Sequence, residues 1–558
     1  MKTKRTMKKA ILSLLALCSV AGMRAQIRSV EPSAATAKRY ERVDFTVRLK
    51  ATYANAFLQE EVALDMLIRT PGGEERLLPC YWVEGASGQL SRWEARFTPQ
   101  QAGEYALRFR LTERGRQTSL SKPVRLAVRQ EAAGHGILHT RDYWTLVYDD
   151  GTPFRGVAEN ICWESRANDD SRYFKELHEQ HDKYNYDYML PLFARNGGNF
   201  IRVWMCGFNF PIDQQDHFNN HRYTPSDAYY NPSAVARLDH FVGLCEELGV
   251  HAMLCMGQGA VRADRAFFTD EEPARRFMNR LRYIVARWGC SPAIGMWEFF
   301  NEIDNIQHRN AGGPIPAEEI VAWHARMSKY LKSIDPYGHP VTTSISHRDL
   351  EGLNSVPDLD INQKHIYCNT GGIPAEILRY ENRFGKPYVI GEFGYEWDWS
   401  KNFDEFGEEM DRDFRRGLWY GIFSPTPLTP MSWWWEYFEN RGLMPYFRGV
   451  RLISDRMLAD GKGAFEQLSV TCPPAEAMAV RCGETIYVYL YNNSSEALGR
   501  TPLTVNLAAR GRYAVQSFDP ASLAFAGHGA IGTEGRFVLD GVELAPYGER
   551  IYIFTPIR

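Results

Sequence analysis

The feature that most constrains the fold is an alternation, from about residue 137 to 458, of short apolar runs with amphipathic helical segments. The apolar runs predict strands at residues 154–160, 199–205, 249–256, 294–299, 341–346, 360–365, 387–392 and 430–435. The intervening segments place apolar residues on one helical face, as with Val235, Leu238, Phe241, Val242 and Cys245. Eight strands joined by helical crossovers predict a (β/α)8 barrel. A doubly wound sheet is the competing fold, but no glycine-rich phosphate loop follows an early strand.

The chain on either side of the barrel shows a different pattern, in which apolar and polar residues alternate one by one. Two such runs have the apolar members Val43, Phe45, Val47 and Leu49, and Tyr105, Leu107, Phe109 and Leu111. A period of two buries one face of a strand and leaves the other in water. We therefore predict a multidomain chain with an N-terminal β-sandwich at residues 26–133, the barrel at 134–458 and a C-terminal β-sandwich at 459–558.

The first 25 residues have the organisation of a secretory signal peptide. Basic residues precede a short apolar run at 11–20, and Ala25 stands before a plausible cleavage point. The run is too short for a membrane span, and no later segment offers about 18 consecutive apolar residues. Lipidation at Cys18 is the alternative, but Leu17 is a poor residue to precede a lipidated cysteine. We expect a cleaved signal peptide and a secreted or periplasmic protein.

Charge and cysteine content exclude several classes of partner. Removal of a leader with six basic and no acidic residues changes the formal net charge from −3 to −9. Such a chain is a poor general binder of nucleic acid or anionic membranes. The cysteines lack the spacing of a zinc site. Cys472 and Cys482 have the spacing of a bridge between neighbouring strands, but we expect buried free thiols. Oligomeric state leaves no pattern in the sequence.

Two glutamates stand where a barrel of this kind holds its reactive residues, at the C-terminal ends of strands. Glu302 follows the fourth predicted strand and Glu392 ends the seventh. A lone glutamate in such a place is more often a solvated rim residue. Two carboxylates across a barrel mouth can protonate a leaving oxygen and attack the bond or activate water, which favours glycosidic chemistry. Glu298 is a weaker candidate for the acid, because its position predicts burial.

The run Asn301-Glu302 and the Gly-Glu-Phe-Gly run at 391–394 resemble the motifs of clan A glycoside hydrolases, especially family 5 and its relatives. Over residues 155–440 the resemblance implies a retaining hydrolase of a β-linked glycan, with Glu302 as acid/base and Glu392 as nucleophile. It implies no metal or organic cofactor. Ile303 stands where family 5 usually has proline, so the resemblance is to the clan more than to that family. The N-terminal region resembles the immunoglobulin-like domain of unknown function 5060.

The same resemblance suggests residues around the glutamate pair. Arg202 resembles the second-strand arginine that keeps the nucleophile ionised, although a purely structural salt bridge is the alternative. His365 and Tyr367 resemble a sixth-strand pair that orients the nucleophile, and a structural role for His365 is nearly as plausible. Asn301 would hydrogen-bond the sugar 2-hydroxyl, a contact that strengthens in the transition state.

Further candidates line the predicted pocket with less specific signals. Trp434 is the predicted sugar platform, but neighbouring residues of a strand point oppositely, so Trp433 and Trp435 are the alternative. Other candidate pocket residues are Asn160, Trp163, Glu164 and His347. The segment 207–232 is predicted to cap the site, which would favour exo action.

Two other functions use the same residues. A non-catalytic glycan-binding protein needs no acid and nucleophile pair, so the presence of both Glu302 and Glu392 argues against it. A transglycosylase differs from a hydrolase only in the acceptor, and the sequence does not separate the two. Mannan, glucan, galactan and host glycans all remain open as substrates.

Overall fold

The structure, a computed structural model, describes residues 25–557 except 168, 170 and 258–262. The predicted signal peptide therefore lies almost wholly outside the described residues. Within them, no helix is long and apolar enough to cross a bilayer. All nine cysteines of this part are free, so Cys472 and Cys482 form no bridge.

The N-terminal region is built from two mainly antiparallel sheets, in agreement with its predicted alternation. Its strands are β1 (Gln26–Pro32), β2 (Thr36–Arg39), β3 (Val43–Lys50), β4 (Val62–Arg69), β5 (Glu75–Pro79), β6 (Tyr81–Glu84), β7 (Leu90–Phe97), β8 (Gly103–Glu113), β9 (Arg116–Leu120) and β10 (Val124–Ala132). One sheet has the order β1-β3-β7-β6; the other has the order β2-β10-β8-β4-β5, with β9 on β8. Phe45 and Phe109 meet between the sheets with ring centroids 5.8 Å apart. The buried faces of both sheets therefore form the core of this region.

A small antiparallel sheet covers the N-terminal end of the barrel. It consists of β11 (Leu138–Thr140), β12 (Leu146–Tyr148) and β13 (Pro153–Phe154). Leu138, Leu146 and Phe154 pack with Phe200 and Met253 of the barrel strands in one buried cluster. This end of the barrel is thus a packed core, and a ligand site has to lie at the opposite end.

The central region is the predicted (β/α)8 barrel. Its strands are β14 (Ala158–Asn160), β15 (Phe200–Trp204), β16 (His251–Cys255), β17 (Ile294–Glu298), β18 (Val341–Thr342), β19 (Ser344–Ile345), β20 (Asn362–Tyr367) and β21 (Tyr388–Gly394). Neighbouring strands pair in parallel; β18 and β19 are two halves of the fifth strand, which pair with β17 and β20 respectively.

The eighth strand differs from its prediction at 430–435. Residues 428–432 close the barrel through isolated bridges, Gly156 to Leu428 and Phe393 to Ser432. The strand cannot continue to residue 435, because Trp434 has a left-handed backbone with φ of 63° and a helix begins at the next residue. Strand geometry ends where the chain turns sharply away from the barrel wall.

Helices connect the strands as the apolar faces predict. They are α1 (Lys175–His178), α2 (Tyr186–Arg195), α3 (Pro232–Leu248), α4 (Arg265–Thr269), α5 (Glu271–Trp288), α6 (Ile303–His308), α7 (Ala317–Ile334), α8 (Ile373–Phe384), α9 (Gly407–Ile422), α10 (Trp435–Asn440) and α11 (Phe447–Gly461), with 3-10 turns at Leu353–Ser355, Thr370–Gly372, Phe403–Phe406 and Met444–Tyr446. In α3, Asn231 caps the amides of Ser233 and Ala234, Pro232 is the first residue, and Gly249 ends the helix at φ of 66°.

The C-terminal region forms one antiparallel sheet instead of the two separate sheets of the predicted sandwich. Its strands are β22 (Phe465–Leu468), β23 (Val470–Thr471), β24 (Glu476–Cys482), β25 (Thr485–Tyr491), β26 (Leu498–Asp519), β27 (Ala524–Leu544) and β28 (Glu549–Pro556). The order is β22-β24-β25-β28-β26-β23, with β27 on β26. The long pair β26 and β27 has four register shifts, and such irregularities bend strands. One bent sheet can therefore enclose a core of its own.

Arg155 joins the barrel closure to the C-terminal sheet. Its guanidinium is buried and donates hydrogen bonds to the carbonyl oxygens of Gly421, Ile422 and Ser424 at 2.8–2.9 Å. The same group lies 5.3 Å from the ring centroids of Trp144 and Phe465, and Phe465 begins β22. These contacts hold residues 421–424, which lead into the eighth strand of the barrel at residues 428–432.

We expect Arg155→Met to lower the free energy of unfolding by about 3 kcal/mol or more, because buried carbonyl groups lose their donors. Urea unfolding followed by tryptophan fluorescence measures the change. The control is Arg125→Met, whose side chain is 75% exposed and pairs with Glu104 at the surface; such pairs contribute at most about 1 kcal/mol. Equal stability of the two variants would contradict the role given to Arg155.

Candidate active site

The two predicted glutamates lie together at the C-terminal end of the barrel. Glu392 is a buried residue of β21, and Glu302 follows β17 with a left-handed backbone at φ of 49°. The Ser344 hydroxyl accepts a hydrogen bond from the Glu302 amide at 2.9 Å. A carboxylate oxygen of Glu302 and one of Glu392 lie within 4.8 Å of each other. The pair is therefore close enough to act on opposite sides of one bond.

Arg202 of β15 is the centre of the buried polar network beneath the pair. One amino group donates to Glu392 at 2.7 Å, while Nε and the other amino group form a two-point ion pair with Glu298 at 2.7 and 2.8 Å. Gln363 also donates to Glu298, at 2.6 Å. Glu298 is thus committed to Arg202 and Gln363, as expected for a residue other than the acid. Arg202 also donates to Asn301 Oδ1 at 2.7 Å.

The groups around Glu392 hold it in its ionised form. Burial alone would raise the pKa of this carboxyl, but the charges of His365 and Arg202 and the Tyr367 hydroxyl outweigh burial and lower it. Tyr367 donates its hydroxyl proton to Glu392 at 2.8 Å. The predicted pair His365 and Tyr367 therefore surrounds Glu392 as the sequence indicated.

His365 lies between the two glutamates. Its Nδ1 is 2.9 Å from Glu302 and 3.3 Å from Glu392. Burial lowers the pKa of the imidazole, but the two carboxylates more than compensate and raise it to about 9. At neutral pH the ring is then an imidazolium that can donate to both carboxylates. Asn305 donates to the remaining oxygen of Glu302 at 2.8 Å.

The aromatic residues are arranged differently from the prediction. The Trp434 ring is buried among other partners: it stacks on Phe174 at 4.7 Å and donates its indole proton to the Glu396 carbonyl at 2.7 Å. Its left-handed backbone turns the side chain out of the strand alternation. The alternative, Trp433, packs against Trp204 at 5.3 Å, and Trp204 lies beside Arg202. Trp433 and Trp204 are therefore the aromatic residues next to the network, and the Trp434 platform is a correction.

Four further candidates take structural or peripheral positions. Asn160 uses its amide nitrogen on the carbonyls of Gly391, Met431 and Ser432, so it closes the barrel and does not line the pocket. Trp163 is buried between Trp433 and Trp435. His347 is an exposed rim residue whose Nδ1 meets the Ser346 hydroxyl at 2.8 Å. Glu164 is buried and paired with Arg222 and Arg237.

The predicted cap at 207–232 has its two ends in different places. Phe208 packs on Trp163 with centroids 5.5 Å apart, so the first end lies beside the aromatic cluster. Tyr229 stacks on Phe57 of the N-terminal region at 5.6 Å, and Tyr230 stacks on Tyr283 of α5 at 4.2 Å. The second end of the segment therefore joins the barrel to the N-terminal region.

Three residues of the site, Gln363, Ser344 and Asn305, were not predicted from the sequence. Gln363 lies two residues before His365 on β20, and side chains two apart in a strand share a face. Because His365 is a predicted site residue, the same rule predicts that Gln363 faces the site. Ser344 and Asn305 hydrogen-bond Glu302, whose backbone is left-handed. No sequence pattern predicts these contacts.

Comparisons with known proteins agree with this geometry. Residues 168–405 match the family model described as Cellulase (glycosyl hydrolase family 5). The chain is 24% identical over 275 residues to mannan endo-1,4-beta-mannosidase A of Podospora anserina, covering 41% of this chain and 71% of that one. It is 27% identical over 244 residues to the probable mannan endo-1,4-beta-mannosidase F of Aspergillus flavus, covering 36% of this chain and 50% of that one.

The chain is a glycoside hydrolase with a family 5-like barrel. The fold is also that of a putative glycoside hydrolase from Bacteroides vulgatus, with a TM-score of 0.64, 15% identity, and coverage of 94% of this chain and 100% of the other. A family 5 glycoside hydrolase from the same organism aligns with a TM-score of 0.52 and 14% identity over 76% of this chain and 93% of that one. The family match begins at residue 168, so the resemblance of the N-terminal region to domain 5060 stays a prediction.

We expect the His365 imidazole of this hydrolase to titrate near pH 9, and the pKa to fall in Glu392→Gln, which removes the larger favourable charge. Nitrogen-15 NMR of the histidine rings measures both. His251 is the internal control, because burial lowers its pKa to about 4 and it lies in the packed end of the barrel. A His365 signal that titrates near pH 6.5 would contradict the bridging role.

The raised pKa of His365 also makes the free energy of unfolding depend on pH. A pKa raised in the folded state stabilises the protein below the ordinary histidine value of about 6.5. This contribution is lost as pH rises toward 9. We therefore expect the wild type, compared with His365→Gln, to lose its stability advantage over that window in urea unfolding at a series of pH values.

Proposed function

We propose that the protein is a retaining glycoside hydrolase that cleaves β-1,4-linked mannan by double displacement. The observation that carries the proposal is the approach of Glu302 and Glu392 to within 4.8 Å, measured between one oxygen of each. Retaining enzymes hold their two carboxyl groups about 5–5.5 Å apart, whereas inverting enzymes leave a wider gap for water. The names of the two fungal relatives support mannan as the substrate.

In the first step Glu392 attacks the anomeric carbon and Glu302 gives its proton to the leaving oxygen. Arg202, His365 and Tyr367 stabilise the ionised nucleophile before attack. The bond to the sugar removes the negative charge of Glu392, and Glu302, having given up its proton, is left as a carboxylate beside the glycosyl-enzyme. Glu302 is then suited to deprotonate the water that releases the sugar.

Asn301 and the neighbouring aromatic residues orient the sugar. Arg202 holds Asn301 Oδ1, and among the described residues Nδ2 donates to no acceptor. That nitrogen is therefore available for the sugar 2-hydroxyl. We further propose that residues 1–25 direct export and that the protein meets its polysaccharide outside the cytoplasm, without a cofactor.

We expect Glu392→Gln to lower kcat/KM by about a thousandfold or more on every substrate, since the covalent step is lost. Glu302→Ala should lose roughly 10²- to 10⁴-fold on mannan. On a dinitrophenyl glycoside, whose leaving group needs no proton, this variant should retain most of its kcat/KM while kcat falls, because the base for the second step is missing. Added azide, which needs no base, should raise kcat and yield a β-glycosyl azide. The control is Glu318→Gln on the exposed side of α7. Normal activity of Glu392→Gln would place the nucleophile elsewhere.

On a polysaccharide panel we expect reducing ends from linear mannan and glucomannan at more than about ten times the rate from carboxymethylcellulose or xylan. Proton NMR during hydrolysis of mannohexaose should show the β-anomer of the new reducing end first, because two inversions restore the configuration. An α-anomer as first product would exclude double displacement. Faster release from cellulose or xylan would overturn the mannan assignment and leave the mechanism standing.

A further inference from the structure

The loop that follows Glu392 carries the most exposed large apolar side chains of the described residues. Trp397 is 57% exposed and Trp399 is 50% exposed, and Tyr395 is also exposed. Every other tryptophan of the chain is buried or half-buried. Three exposed rings at alternate positions of one loop indicate a contact surface more than an isolated exposed apolar side chain does.

The loop backbone is held in place, so the two indoles are presented by a fixed frame. The Glu396 carboxylate accepts hydrogen bonds from the amides of Trp397 and Asp398 at 2.9 and 3.0 Å and pairs with Lys401. The Asp398 carboxylate accepts from the amide and hydroxyl of Ser400 at 3.0 and 2.7 Å. Neither indole ring contacts another aromatic ring among the described residues. A pre-ordered loop loses little conformational entropy when a ligand binds.

The loop lies at the mouth of the barrel beside the nucleophile strand. The Glu396 carbonyl accepts the Trp434 indole proton at 2.7 Å, which ties the loop to the rim of the eighth strand. On the other side, the Gly394 carbonyl accepts from the Cys368 amide at 3.0 Å, one residue after Tyr367. A polymer that leaves the cleft near Glu392 therefore meets this rim.

We propose that Trp397 and Trp399 form a stacking platform for sugar rings of the β-linked glycan beyond the two rings that flank the cleaved bond. A pyranose has a flat C–H face that fits an indole and hydroxyl groups at its edges. Asp398, Ser400 and Lys401 supply polar groups beside the rings. The platform rests on the proposed function, and it makes the enzyme depend on chain length.

The test compares substrates of different length in Trp397→Ala/Trp399→Ala. We expect kcat/KM for mannohexaose and glucomannan to fall by about tenfold for each ring removed. Hydrolysis of dinitrophenyl β-mannoside should stay unchanged, which also shows that the variant is folded. Trp397→Tyr should lose much less kcat/KM on these long substrates than Trp397→Ala, because it keeps a flat ring. The control is Tyr143→Ala, an exposed ring of the hairpin between β11 and β12 at the opposite end of the barrel.

If the double variant keeps the wild-type ratio of kcat/KM for mannohexaose to kcat/KM for the aryl mannoside, the platform is overturned and the proposed function stays intact. If the wild type hydrolyses no mannan, the proposed substrate fails, and the platform is judged by binding. Glu392→Gln is then run in native gels that contain glucomannan, xylan or carboxymethylcellulose. Retardation that disappears with the two tryptophan substitutions supports the platform, and no retardation by any of these polymers contradicts it.

Discussion

The site depends on one buried cation, the guanidinium of Arg202. A buried charge is costly unless it is fully partnered, and Arg202 meets both Glu298 and Glu392. It joins the second, fourth and seventh strands of the barrel at the layer below the cleft. His365 adds a second cation between Glu392 and Glu302. Two cations and three carboxyl groups therefore interact in a small volume, and their charges balance when Glu302 carries the proton that it gives to the leaving oxygen.

The flanking regions support the barrel that carries this network. Thr98 of the N-terminal region donates to the Cys290 carbonyl at 2.6 Å, and Asp65 forms an ion pair with Arg282 of α5. On the other side, Arg155 contacts Phe465 of the C-terminal sheet while it holds the approach to the eighth strand. Both flanking regions thus pack on elements that lie outside the ring of strands. They stabilise its shape without supplying the central groups of the site.

Prediction from the sequence succeeded where a period or a strand end determined the structure. The alternating runs predicted the barrel and the N-terminal sheets, the strand ends predicted the pairing of Glu302 with Glu392, and the family resemblance added Arg202. Prediction failed where the backbone departs from regular strand geometry. Trp434 turns away because its φ is 63°, and register shifts bend the C-terminal strands into one sheet. Asn160 was misread because a buried amide can serve backbone carbonyls as readily as a substrate. These outcomes depend on tertiary contacts that a single sequence does not display.

The free cysteines have a practical consequence. Eight of the nine in the described part of the chain are buried, and Cys368 alone is exposed. It stands one residue after Tyr367, at the edge of the cleft. Burial and the Glu396 charge raise the pKa of this thiol, so alkylation needs mildly alkaline buffer. A maleimide dye or nitroxide attached there would report on glycan occupancy from the residue next to Tyr367, which contacts the nucleophile, without any engineered cysteine.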